Sequence, residues 1–142
     1  MITEEKAQEW IYWTDTPIPD EIDRNYAYWD GEKWNEDSEH MLQDKKDRAI
    51  NQLWSNYKAF QRRYVDPEDL TLATTLSLAN QPMGTAVRNW VFQLWDAYYI
   101  LKGQIENATT VDVIENIDLA VTVDAPPYTI KQLNEEAKEL QQ

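Results

Sequence analysis

Few residues in this chain have the type and spacing to do chemistry. Its single histidine is His40, between Glu39 and Met41 at an expected helix start. An imidazole can relay protons near neutral pH. Yet no serine or threonine stands where spacing would assign it to His40 as a nucleophile. The expectation is an exposed first-turn residue. Carboxylates cluster at Asp20/Glu21/Asp23, Glu36/Asp37/Glu39 and Asp66/Glu68/Asp69. Two carboxylates can in principle hydrolyse a glycoside, but a chain with 26 acids makes such clusters by composition alone. None has the spaced oxygen ligands and central glycine of a calcium loop. Gly31, Gly84 and Gly103 are isolated, so no glycine-rich phosphate cradle exists. Cysteine is absent, which excludes disulfides, thiol nucleophiles and thiolate metal sites. One histidine without cysteine also removes the usual zinc site. The expectation is a protein that is not an enzyme and takes no metal or cofactor.

What remains is aromatic. The stretch YAYWDGEKWNE carries Tyr26, Tyr28, Trp29 and Trp34 around an Asp-Gly pair. Such rings can stack on sugars, or they can bury against protein, since Trp and Tyr are enriched at protein interfaces. A two-stranded hairpin is marginal alone and must pack on something. Burial against this chain's helices or a partner is therefore the expected role. With Trp10 and Trp13, these four residues form the candidate partner-binding set.

Charge narrows the partners further. With 26 acids against 13 bases, the net charge is −13. Nucleic-acid backbones and anionic membranes both call for clustered Lys and Arg, so both are excluded as expected partners. The acids divide unevenly. Residues 1–40 carry 12 acids and 3 bases; residues 41–64 carry 2 acids and 6 bases. One basic helix in an acidic chain suggests that it pairs with the acidic N-terminal arm. The opening MITEEKAQEW has no apolar signal core, and no run of 18 apolar residues occurs. The reading is a soluble protein not secreted by the standard route.

The elements that would hold these residues can be placed by period and punctuation. A single domain of 142 residues suits an α+β, mainly α architecture. It has a central antiparallel helical core and short β elements in both arms. The N-terminal arm, residues 1–37, opens with EWIYWT, a short strand by composition. Pro17 and Pro19 then break regular structure. Asp30-Gly31 predicts a two-residue type I′ turn flanked by Trp29 and Glu32, with Tyr26 and Tyr28 on one face. The helical core, residues 38–108, begins with a helix capped by Asp37 or Ser38 and running to about residue 64. Its apolar stripe is Ile50, Leu53, Tyr57, Phe60 and Tyr64. Pro67, after Asp66, starts a shorter helix to about residue 79, apolar nearly all round and so expected to be buried. NQPMG, residues 80–84, should end it. Val87, Val91, Leu94, Tyr98, Leu101 and Ile105 then repeat at 4-3-4-3-4 spacing, widened by Trp90 and Trp95. Pairing with the first helix is favoured, and a homo-oligomeric seam is the alternative. In the C-terminal arm, residues 109–142, IDLAVTVD alternates like a half-buried strand. A Pro-Pro linker follows, and then a weakly amphipathic helix with a Thr129/Gln132 capping box and a Tyr128/Leu133 staple.

Two stretches give a resemblance. PIPDEIDRNYAYWDGEKW and AVRNWVFQLWDAYYILK resemble small tailed-bacteriophage proteins associated with tails and tail-fibre assembly. The resemblance implies a chaperone-like or structural protein that docks on a tail or tail-fibre component. It implies the host cytoplasm during assembly, or the virion, as its place. Two other classes stay open: an acidic decoy occupying a nucleic-acid-binding groove, and a carbohydrate-binding module.

Overall fold

The computed structural model describes residues 14–142. Trp10, Trp13 and, apart from Thr14, the expected strand at residues 9–14 lie outside the described residues. A single 3-10 turn (Arg24–Tyr26) leads into a hairpin of β1 (Ala27–Trp29) and β2 (Trp34–Glu36). Five helices follow: α1 (Ser38–Tyr64), α2 (Pro67–Leu78), α3 (Pro82–Asn107), α4 (Val111–Glu115) and α5 (Ile130–Leu140). The expected class, mainly helical with a small β element near the N-terminus, is what is found.

The α1 helix starts where expected. Asp37 caps it, its side chain accepting from the His40 amide at 3.3 Å. Leu53 and Tyr57 are buried in the core, with Ile50, Phe60 and Tyr64 packed around them. Their partners on α3 are Val87, Trp90, Val91, Leu94, Tyr98 and Ile105, all buried. Tyr57 meets Trp95 and Tyr98, whereas Tyr64 meets Trp90, so the two helices run antiparallel. Each fully buried aliphatic in this seam contributes about 1.5–3 kcal/mol relative to exposure.

The α2 helix packs on α3 more extensively than any other pair of elements. Only one face is buried, through Ala73, Leu76 and Ser77, while Leu78 stands in solvent. The expectation of all-round burial fails because Thr71, Thr74 and Thr75 give α2 a wet face. NQPMG is only partly a loop. Asn80 turns the chain at φ 60, Pro82 takes the first helical position, and Gly84 lies inside α3. A Cβ on Gly84 would collide with Leu76 Cβ and come within 3.0 Å of the Ala73 carbonyl. Glycine there sets how closely α2 approaches α3.

The C-terminal arm departs most from expectation. Residues 117–126 form no strand. Alternation is real: Val121 is buried and Ile117, Leu119 and Val123 are packed on the core, while Asp118, Ala120, Thr122 and Asp124 are exposed. The buried side faces helices, and side chains take up main-chain carbonyls. Asn56 donates to the Leu119 carbonyl at 2.8 Å and the Trp90 indole to that of Asp124 at 2.6 Å. An apolar alternation needs a flat apolar neighbour, not a second strand. The short α4, capped by Thr110, is an element the sequence reading did not anticipate.

Helix α5 is also more amphipathic than its charge suggested. Leu133 is fully buried, and Glu136 is buried with 7% of its surface exposed. The expected capping box is present, with Thr129 accepting from the Gln132 amide and the Gln132 side chain accepting from the Thr129 amide. Glu136 accepts from the amides of Met83 at 3.0 Å and Gly84 at 2.9 Å. Those amides open α3, whose own N-cap residue, Gln81, supplies no side-chain cap. An anion from another helix thus satisfies the exposed donors and the positive end of the α3 dipole.

Candidate protein-contact surface

The hairpin aromatics are positioned by a turn one residue away from the expected one. The Asp30 amide donates to the Lys33 carbonyl at 3.1 Å, and Trp29 pairs with Trp34. Gly31 and Glu32 are therefore the central residues. Only Gly31 has positive φ, at 99°, which excludes type I′. Asp30 makes the difference. Its Oδ1 accepts from the Glu32 and Lys33 amides, both at 2.8 Å, and its Oδ2 accepts from Asn35. These donors hold the Asp30 carboxyl below the usual carboxylate range, the Lys33 and Glu32 amides foremost.

Trp29 and Trp34 meet edge to face, ring centres 5.7 Å apart, and both stay half-buried. The Trp34 indole donates to the Thr16 carbonyl at 2.8 Å, which ties the approach segment to the hairpin. Tyr26 is different. It sits in the 3-10 turn, is buried, and points at the start of α1. Its hydroxyl donates to Asp44 Oδ2 at 3.0 Å, and its ring stands edge-on to His40, 5.6 Å away. Burial first, then the Asp44 hydrogen bond, raises the Tyr26 phenol above its usual range. Tyr28 is half-buried between these positions. Of the six candidate residues, the structure joins Trp29 to Trp34 and gives Tyr26 to the core.

His40 is correspondingly not an exposed first-turn residue. Its Nε2 lies 3.3 Å from the same Asp44 Oδ2 that Tyr26 donates to. The three side chains pin the hairpin to α1. The acid clusters are largely taken up the same way. Glu36 accepts from the Asp23 amide, Asp23 accepts from the Asn25 amide, and Asp69 accepts from the Asp66 amide. Among the described residues no group of three or more His, Cys, Asp or Glu could hold a metal. No helix among them is long and apolar enough to cross a membrane.

A second aromatic group, of which the sequence reading used only Tyr57 and Trp95, as core, lies between α1 and α3. Trp54 stacks on Tyr57 at 5.3 Å with the planes 10° apart. Tyr57 meets Trp95 at 4.9 Å, and Trp95 stacks on Tyr99 at 5.6 Å. Its lower layer is buried: burial pushes the Tyr57 phenol up to about 12. Its upper layer is not. Trp54 is 37% exposed, Phe92 51%, Tyr99 56% and Ile100 63%. Exposed apolar side chains joined through ring contacts, as Trp54 and Tyr99 are through Trp95, can mark a contact site.

Beside Trp54 the patch opens into a cleft of about 210 Å³, lined by Trp54, Tyr57, Lys58, Arg62, Leu70 and Trp95 among others. Lys58 Nζ stands over the Trp54 ring at 5.5 Å. Among the described residues, lysines of the basic stretch of α1 reach the C-terminal end of α3 and α4. Lys46 donates to the Glu106 carbonyl at 2.8 Å, and Lys45 reaches Glu115 at 4.0 Å. The Glu106 carbonyl, at the negative end of α3, attracts Lys46, and the Glu115 carboxylate of α4 attracts Lys45. Lys58 and Arg62 line the cleft. The signal for this surface was in the sequence as aromatic residues one position past the core seam of α3. No protein-family model, curated protein or solved structure matches the chain.

Proposed function

We propose that this chain is a non-enzymatic protein working through protein–protein contact, as an assembly factor or structural component of a phage tail or tail fibre. The observation that carries the contact reading is the cleft at Trp54, where aromatic surface and two cations meet on an otherwise acidic chain. Such a cleft accepts an aromatic or aliphatic side chain flanked by carboxylates. The aromatic wall supplies apolar area, and Lys58 and Arg62 supply charge complementarity. The tail context rests on the sequence resemblance of residues 17–34 and 86–102. The hairpin group lacks the layout of a sugar platform: Trp29 and Trp34 meet edge to face, so they do not present one flat surface.

The test is retention of purified tail and tail-fibre polypeptides by the immobilised protein. The wild type should retain a specific polypeptide, and Trp54→Ala should release it while keeping its helical circular dichroism. Retention that Trp54→Ala leaves unchanged would remove the cleft from the mechanism. Retention of none of the tail polypeptides would remove the tail assignment.

A further inference from the structure

The Trp54 cleft has a direction. Trp54, Tyr57, Lys58, Gln61 and Arg62 line it from α1, one stripe running along about two turns of the helix. Pro67 and Leu70, from the start of α2, line it as well. Only Val65 and Asp66 join the two helices, and Val65 is fully buried. The cleft is therefore blind where Arg62 and Pro67 approach this connection. The Trp54 and Trp95 rings, 6.0 Å apart, stand toward its other end. Charge is ordered along it too. Lys58 and Arg62 lie one turn apart on the α1 wall, and no carboxylate is among the lining residues described. Among the described residues neither cation has a carboxylate partner, and Lys58 rests over the Trp54 ring. A chain with 26 acids thus leaves two cations unanswered at one aromatic cleft. At about 210 Å³ the cleft is smaller than the ~300–1,000 Å³ of pockets that enclose whole small ligands, so it has room for one side chain.

We infer that the occupant is the C-terminal residue of a partner polypeptide, its apolar side chain against Trp54, Tyr57 and Trp95 and its α-carboxylate paired with Lys58 and Arg62. An internal segment must enter a cleft and leave it, which a blind end prevents; a chain terminus need only enter. The Arg62 guanidinium offers a carboxylate two parallel donors, and Lys58 adds a point charge. A cationic side chain, the other frequent guest of an aromatic wall, is repelled by the same two residues. An uncharged sugar leaves both cations without a counter-charge. The inference rests on the contact reading of this cleft and adds which part of the partner enters it.

The probes are N-acetyl-Gly-Gly-X peptides with X as Leu, Phe or Trp, each made with a free C-terminal carboxylate and as the C-terminal amide. They are titrated into the ¹⁵N-labelled full chain while the indole Nε1 signals of Trp54 and Trp95 are followed. At least one free acid should shift both signals saturably, and its amide should bind at least about tenfold more weakly for loss of the charge-assisted contact. Arg62→Gln and Lys58→Met should each bring the free acid toward the affinity of the amide, with circular dichroism unchanged. The acid–amide comparison is made on the wild type and so does not depend on how the variants fold. Equal binding of acid and amide, or no saturable shift from any free acid, would overturn the inference. So would N-acetyl-Gly-Asp-X amides that bind as well as the free acids, because a side-chain carboxylate would then serve. Tail polypeptides released by Trp54→Ala, together with equal binding of acid and amide, would leave the contact reading standing and remove only this one.

Discussion

Two aromatic groups on one small protein end up with opposite fates. The hairpin group is dense in sequence, with four rings in nine residues. Most of it is turned inward or onto itself: Tyr26 into α1, Trp29 against Trp34, Trp34 onto the Thr16 carbonyl. The helical group is dispersed over residues 54–99, yet folding gathers it into one patch whose upper layer stays open. Density along the chain measures local structure, because neighbouring rings in a hairpin must satisfy each other first. A contact surface is more often assembled from residues one helical turn apart on separate elements.

The comparison breaks first at its buried layer. Tyr57→Ala should lower unfolding free energy by about 3–5 kcal/mol in chemical denaturation, as for a large buried aromatic. A loss below 1 kcal/mol would mean that the helical group is not anchored in the core. Next in size is the hairpin turn. Gly31→Val should cost about 1–3 kcal/mol locally, because a β-branched residue resists φ near +99°. Hydrogen exchange should show the β1–β2 amides opening while α1–α3 stay protected; unchanged protection would refute the turn. Trp54→Ala should cost about 1–2 kcal/mol, less than Tyr57→Ala, because Trp54 is 37% exposed yet touches the Tyr57, Trp95 and Tyr98 rings. Its effect belongs in partner retention, and a large stability loss would make Trp54 core and not contact.

The last expected effect is read through pH. Tyr57 is held protonated to about 12 by burial, with the Tyr99 phenol adding a smaller push, while an unfolded tyrosine ionises near about 10. A raised folded value means stability is intact below the unfolded value and is lost as pH rises through the folded one. Stability should therefore decline between about pH 10 and 12, and less so in Tyr57→Phe. Equal alkaline slopes in urea titrations of the two proteins would show that Tyr57 is not buried in solution.

Periodicity made the helices legible. Leu53, Tyr57, Leu94 and Tyr98 announce the α1–α3 seam because a buried helix face must repeat every three to four residues. Caps were legible for the same local reason: Asp37, Pro67 and Thr129 act within a turn of themselves. The errors came from choices that only tertiary structure makes. Residues 117–123 have a strand's alternation, but nothing local says whether the buried side meets strands or helices. Asp30-Gly31 has the dipeptide of a type I′ turn, but the Asp30 side chain captures two amides and moves the turn by one residue. The exposed helical patch was readable only after the core seam was known to be taken up within the chain.

The buried carboxylate of Glu136 has one more implication, for the order in which the chain can mature. Its two amide partners lie 53 and 52 residues earlier, at Met83 and Gly84. During synthesis α1, α2 and α3 emerge from the ribosome with the front of α3 still uncapped. The tight approach of α2 to α3 at Gly84 is therefore completed by a residue translated dozens of codons later. A nascent chain stalled before residue 136 would hold a helical core with a frayed first α3 turn, exposed to proteases and chaperones at that point.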